Sequence, residues 1–196
     1  MVICHEKRCI YIHIPKTAGT SVEHFLRDGG LNSIELLGVR GGRSTHHYTT
    51  MEIKNMFPES FLSYYKFSII RNPYDRLLSE YYWKYSNNKT KDEFLDFVAD
   101  IMIKNKYFSN IYYDHFIPQY VFLYNKSVKK LLVNQLFKYE DLEWVAGYLK
   151  RKLKISVDFP NLNKSKNEIK EDWSCIQKEK IYNLYKKDFE LFSYIK

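Results

Sequence analysis

"CIYIHIPKTAGTSVEHFL", Cys9 to Leu26, is the stretch on which the fold turns. Its first half, "CIYIHI" at 9–14, is apolar and rich in β-branched residues, which predicts a short buried strand. Its last part, 20–28, places Val22, Phe25 and Leu26 on one face, which predicts a helix. Between them lies a tight turn with Lys16 and Gly19. Strand, turn and helix in that order outline an anion-binding loop. Gly19 would let the backbone turn, and the free N–H groups of Thr20, Ser21 and Val22 would face a ligand at the positive end of the helix. Thr20 and Ser21 add hydroxyl donors, and Lys16 adds a full charge. The residue order is not that of the common nucleotide loop, G-x-x-x-x-G-K-[ST], in which lysine directly precedes the helix. No G-x-G-x-x-G occurs either.

A second unit of the same kind follows. "YKFSII", 65–70, predicts another buried strand and runs straight into "RNPYDRLLSEYYW". Asn72 suits a helix N-cap, Pro73 the first helical position, and Asp75 the first turn, where the helix dipole favours an acid. Arg71 then stands at a strand end and Ser79 in the second turn of the helix. The two can converge on one phosphate, Arg with a fork of donors and Ser with a hydroxyl. Arg76 reads as a surface arginine paired with Asp75 or Glu80, the other reading being direct contact with the bound ligand.

Elsewhere, "GVRGGRS" at 38–44 is a Gly-rich basic loop. Thr49 and Glu52 form a capping box at a helix start, and Pro58 is expected to end that helix. Residues 92–103 predict a helix and 129–139 one or two strands. "EDLEWVAGYLKRKL" and the C-terminal segment from 172 predict two more helices, separated by the polar loop "DFPNLNKSKN". Strands alternating with helices predict an α/β fold: a single P-loop-like domain with a central, mostly parallel sheet flanked by helices. Ligands of such sheets bind at the carboxyl ends of the strands.

The bulk properties agree. The 196 residues are 45% hydrophobic and 28% charged, which excludes a disordered chain and allows one substantial core. The net charge of +8 favours anionic partners. Three cysteines without metal-ligand spacing predict reduced thiols and no metal site. No run has the length of a membrane span or the form of a signal peptide.

These motifs resemble a known family. "HIPKTAGTS", 13–21, closely resembles the 5′-phosphosulfate loop of sulfotransferases that use 3′-phosphoadenosine 5′-phosphosulfate (PAPS). "FSIIRNPYDRLLSEYYW", 67–83, resembles the same family's 3′-phosphate site. The nearest branch is that of the carbohydrate sulfotransferases typified by heparan sulfate 2-O-sulfotransferase, with its short bacterial relatives. "HHYTTMEI", "FKYEDL", "NLNKS" and "YKKDFELFSY" extend the likeness from about residue 9 to the C-terminus.

The resemblance implies one sulfotransferase domain over 1–196, PAPS as donor and 3′,5′-adenosine bisphosphate as product. It implies a hydroxyl acceptor, such as a carbohydrate. Donor contacts fall on Lys16, Thr17, Ala18, Gly19, Thr20, Ser21, Arg71 and Ser79, and on Asn163, Lys164 and Ser165. His47 corresponds to the catalytic base, since an imidazole titrates near neutrality; His46 is the next candidate for that role. Lys16 would stabilise the leaving phosphate. His46, Arg43 and Gln119 are expected to face the acceptor. His13 reads as a satisfied core histidine, and His5, His24 and His115 have no supporting context. Without a membrane anchor, a cytoplasmic bacterial or viral enzyme is expected rather than a Golgi one, and no nucleic-acid partner. Two other readings remain open from the residues: an atypical P-loop kinase, and a basic protein binding nucleic acid or acidic polysaccharide. Acceptor identity and oligomeric state are not encoded in these motifs.

Overall fold

The computed structural model describes residues 2–29, 34–36, 39–40, 43–107, 109–110, 112–160 and 171–196; within these, residues 34–36, 39–40 and 43–45 are described by backbone alone. The central sheet has five strands: β1 Val2–Cys4, β2 Cys9–Ile12, β3 Ile34–Leu36, β6 Tyr65–Ile70 and β9 Gln135–Lys138. Their order is β3-β1-β2-β6-β9. Strand β2 pairs in parallel with β6, and β6 with β9, while β1 lies antiparallel to both β2 and β3. Four strands therefore share one direction and β1 opposes them, so the sheet is mixed but mostly parallel. Two small hairpins stand apart from it, β4 Val39–Arg40 with β5 Arg43–Ser44 and β7 Tyr124–Asn125 with β8 Lys130–Leu131.

The period-two alternation of the strands divides the core into two faces. Cys9 and Tyr11 of β2, with Phe67 and Ile69 of β6, face α1 Gly19–Asp28 and α7 Leu142–Leu153, meeting Val22, Phe25, Val145 and Leu149. Ile10, Ile12 and Ile70 face the other way, toward α2 Thr50–Met56, α3 Pro58–Ser63 and α6 Gln119–Leu123. A third cluster joins α4 Pro73–Glu80, α5 Lys91–Ile103 and α8 Cys175–Phe192 through Leu77, Phe94, Val98, Ile181 and Phe189. The buried hydroxyl of Ser68 donates to the carbonyl of Ile12 at 2.7 Å, tying β6 to the end of β2.

Most predicted elements are present, with differences that have physical causes. Strand β2 stops at Ile12, two residues short of the predicted end, and the turn into the loop begins at Pro15. The hairpin strand β1 was not anticipated. Pro58 does not simply end α2; it takes the first position of α3, where a missing N–H costs nothing. The helix after Pro73 tightens its ladder poorly at its far end and continues as a π-helical turn, Tyr81–Tyr85, of the kind often found at functional sites. The capping box at Thr49 and the Asn72 cap are both formed. Among the described residues, no helix is long and apolar enough to cross a membrane.

Phe67, on the interior strand β6, is fully buried between Tyr11 and Phe137. Phe67→Ala is expected to lower stability by about 3–5 kcal/mol in urea unfolding. A loss below about 1 kcal/mol would mean that the strand is not central to the core.

Candidate active site

The carboxyl ends of β2, β6 and β9 lie along one edge of the sheet, and each feeds a helical turn there. After β2, the loop places Lys16 and Ala18 in left-handed conformations, with φ of 66° and 67°. For residues with a Cβ each such conformation costs on the order of 1 kcal/mol or more, and it is held where the surroundings enforce it. Thr17, between them, is fully buried and its hydroxyl donates to the carbonyl of Ile14 at 2.9 Å. Its side chain therefore braces the loop rather than facing a ligand. Ala18 is the N-cap of α1 and has no side chain to satisfy the first N–H groups, and the first turn carries no acid. That combination leaves the positive helix end available to an anion. Val22, expected to present its N–H as well, donates instead to Ala18 O at 3.1 Å within the helix. Ser21 is buried and Thr20 exposed.

Gly19 has a different reason to be glycine from the one its turn position suggests. It does not take a left-handed conformation. A Cβ there would stand 1.7 Å from Nε2 of His13 and 2.0 Å from its Cδ2. The His13 ring thus occupies the side-chain space of the first helical residue. Its Nδ1 donates to Oε1 of Glu23 at 2.8 Å. Burial pushes the His13 imidazole down to about 4, against the pull of Glu23, while the two nearby imidazoles help hold the Glu23 carboxyl well below its usual range despite burial. His46 is half-buried, with Nδ1 3.6 Å from the same Glu23 oxygen. His13, Glu23 and His46 each bring one ligand-capable atom within 4.8 Å of the others. The 2.8 Å separation of His13 and Glu23 is that of a hydrogen bond, and the group acts as a carboxylate holding two imidazoles.

His47 ends a 3-10 turn, Thr45–His47, and is 7% exposed. Its Nδ1 lies 3.1 Å from the backbone carbonyl of His13. A carbonyl only accepts, so Nδ1 carries the proton and Nε2 is left as the basic nitrogen. Burial, with the His13 and His115 imidazoles beside it disfavouring a further proton, holds the imidazole well below its ordinary value, so it is neutral at pH 7. The rings of His13 and His47 meet edge-on at 4.6 Å, and those of His47 and His115 at 5.1 Å. His115 stacks on Trp83 at 5.5 Å, and the ammonium of Lys16 lies 4.4 Å over the Trp83 ring. A chain of contacts therefore links the loop lysine to the histidines.

Arg71 joins the two strand-turn-helix units, its guanidinium donating to Lys16 O at 3.3 Å and lying 4.2 Å over Tyr139. Ser79 is half-buried on α4, one turn before Trp83. Gln119 does not face an acceptor. It is fully buried; its carbonyl accepts from Arg71 N at 2.9 Å and its amide donates to Arg71 O at 2.8 Å. Its own N–H and that of Tyr120 are held by Asp188, whose carboxyl burial raises to about 6. Gln119 thus fixes the strand end that carries Arg71. Arg76 is likewise not a surface residue. It is 2% exposed and donates to the carbonyls of His115 and Ile117 at 3.2 and 3.0 Å. The side chain of Arg43 lies outside the described residues, as do Asn163, Lys164 and Ser165.

The whole chain but its last residue, 1–195, matches the sequence model of the sulfotransferase family. The chain belongs to that family. No curated protein and no solved structure matches it. Sulfuryl transfer is accordingly the chemistry of this α/β fold, and the protein is a transferase. For a sulfotransferase, the edge just described supplies an anion cradle, a cation and a neutral imidazole with a defined basic nitrogen. Sequence reasoning passed over Glu23, Glu80, Trp83 and His115. Only Glu23 left a trace, one helical turn from Gly19 on the same face; the others depend on contacts between distant segments.

Two outcomes follow. Gly19→Ala must displace the His13 ring, and a loss of about 1–3 kcal/mol in urea unfolding is expected; unchanged stability would mean that the ring does not fill that space. The unfolded chain binds protons near pH 6.5 that neutral His13 and His47 refuse, so both imidazoles erode stability as pH falls from 6.5 toward 4. The drop in unfolding free energy over that window should be smaller in His47→Gln than in the wild type. Equal slopes would contradict a neutral buried His47.

Proposed function

We propose that this chain, as one sulfotransferase domain over residues 1–196, transfers the sulfuryl group of PAPS to a hydroxyl, that of a carbohydrate. The observation that carries the reading is the hydrogen bond from His47 Nδ1 to the His13 carbonyl, which leaves Nε2 of a neutral imidazole as the base. It stands on the same sheet edge as the uncapped start of α1 and Lys16.

The donor supplies an activated S–O bond. Lys16 and the N–H groups at Gly19, Thr20 and Ser21 would hold its 5′-phosphosulfate, and Arg71 with Ser79 its 3′-phosphate. His47 takes the acceptor hydroxyl proton at Nε2. The freed oxygen lone pair forms the new O–S bond as the bond from sulfur to the phosphate oxygen breaks. Lys16 meets the charge that collects on that oxygen. Positioning and fixed charge supply most of the acceleration in group transfer of this kind. In this reading His46, 38% exposed at its side chain, would meet the acceptor and His47 would act as the base.

Transfer of labelled sulfate from PAPS to a panel of glycans and small alcohols tests this. Both His47→Ala and Lys16→Ala are expected to lower transfer by at least about a hundredfold. Full activity in either variant would remove that residue from the mechanism.

A further inference from the structure

Glu80 and His115 have no part in the reading above, yet among the described residues they form the most enclosed carboxylate–imidazole pair beside His47. The Glu80 side chain is 2% exposed and that of His115 11%, and Oε2 of Glu80 lies 2.9 Å from Nδ1 of His115. The other carboxylate oxygen, Oε1, is buried with no hydrogen-bond partner among the described residues. A carboxylate taken out of water and only half satisfied is costly, and such groups cluster where a proton or charge must be managed. Because a carboxylate accepts, Nδ1 of His115 carries the proton and Nε2 is basic, the same tautomer as in His47. The two rings meet at 5.1 Å and 86°.

We propose that His115 is a second acid–base group of the site, and that the proton removed from the acceptor by His47 comes to rest on His115, with Glu80 as the residue that positions and charges the pair. This rests on the sulfuryl-transfer reading of His47. The step moves one proton and no electrons between the imidazoles: His47 gains it at Nε2 and returns to neutral when Nε2 of His115 takes it up. Nδ1–H of His115 stays on Glu80.

The surroundings favour that direction. An imidazolium at His47 would rest on a backbone carbonyl between two other imidazoles, those of His13 and His115. An imidazolium at His115 would rest on a carboxylate. His13 also has a carboxylate, Glu23, but its Nε2 is packed against Gly19 and is closed to incoming protons. Around His115 the other charged or titratable groups are Arg76, which binds its backbone carbonyl, Tyr112 at 6.2 Å between rings, and Lys16 and Lys84, which lie over Trp83. Asp114, next in the chain, is buried. The bond to the ring comes from Glu80.

Nitrogen NMR of the imidazoles in the full chain, free and with 3′,5′-adenosine bisphosphate, would follow each histidine from pH 8 to pH 4. His115 is expected to take a proton before His47, and Glu80→Gln to lower the His115 midpoint by at least one pH unit. His115→Gln should lower sulfuryl transfer at least tenfold with 3′,5′-adenosine bisphosphate affinity within twofold of wild type. Protonation of His47 ahead of His115 in the wild type would overturn the proposal, as would a His115 midpoint unmoved in Glu80→Gln. The wild-type titration decides even if a variant fails to fold. Absence of 3′,5′-adenosine bisphosphate binding would count against the donor reading alone, because the order of protonation is read without it.

Discussion

The ring of His13 fills the space that a side chain on Gly19 would need. From that one position it reaches the start of α1, Glu23 and His47. Its Nδ1 is held by Glu23 of α1, and its backbone carbonyl fixes the tautomer of His47. The strand end, the helix start and the His47 imidazole are thereby locked to one another by a single residue. A larger residue at Gly19 or a displaced His13 would disturb the start of α1 and the His47 imidazole together. Glycine is required here by close approach, while the turn itself is made by residues that carry side chains, Lys16 and Ala18.

The strain stored in that turn is offset locally. Thr17 donates back to Ile14, and Arg71 donates to the carbonyl of Lys16, so both left-handed residues are flanked by hydrogen bonds. Arg71 is in turn clamped by both ends of the Gln119 amide, which Asp188 secures through the backbone of α6. A buried polar network of this kind is expensive unless nearly every member is satisfied. Here it runs from the C-terminal helix to the anion loop and gives two loops from different parts of the chain one fixed relation.

What the sequence made legible was local. The strand at 65–70, the Asn72 cap, the Thr49 capping box and the two strand-turn-helix units are written in neighbouring residues, where periodicity and cap chemistry suffice. The placements that sequence reasoning missed are long-range. Gln119 meets Arg71 across 48 residues and His115 meets Glu80 across 35, and no pattern along the chain encodes either. Arg76 reads as a surface residue because Asp75 and Glu80 are its neighbours in sequence; tertiary packing instead gives it two backbone carbonyls. His13 was legible as a core histidine, but not its carbonyl's hold on His47, since only the fold brings position 47 beside position 13.

The central claim is that two separate anion sites on one sheet edge hold the two ends of a 3′-phosphorylated donor. Calorimetric titration of the wild type and of Arg71→Ala with 3′,5′-adenosine bisphosphate and with ATP tests it most directly. The account predicts that the wild type binds the bisphosphate at least tenfold more tightly than ATP, and that Arg71→Ala loses most of that preference. Tighter binding of ATP, or a preference that survives the loss of Arg71, would contradict it.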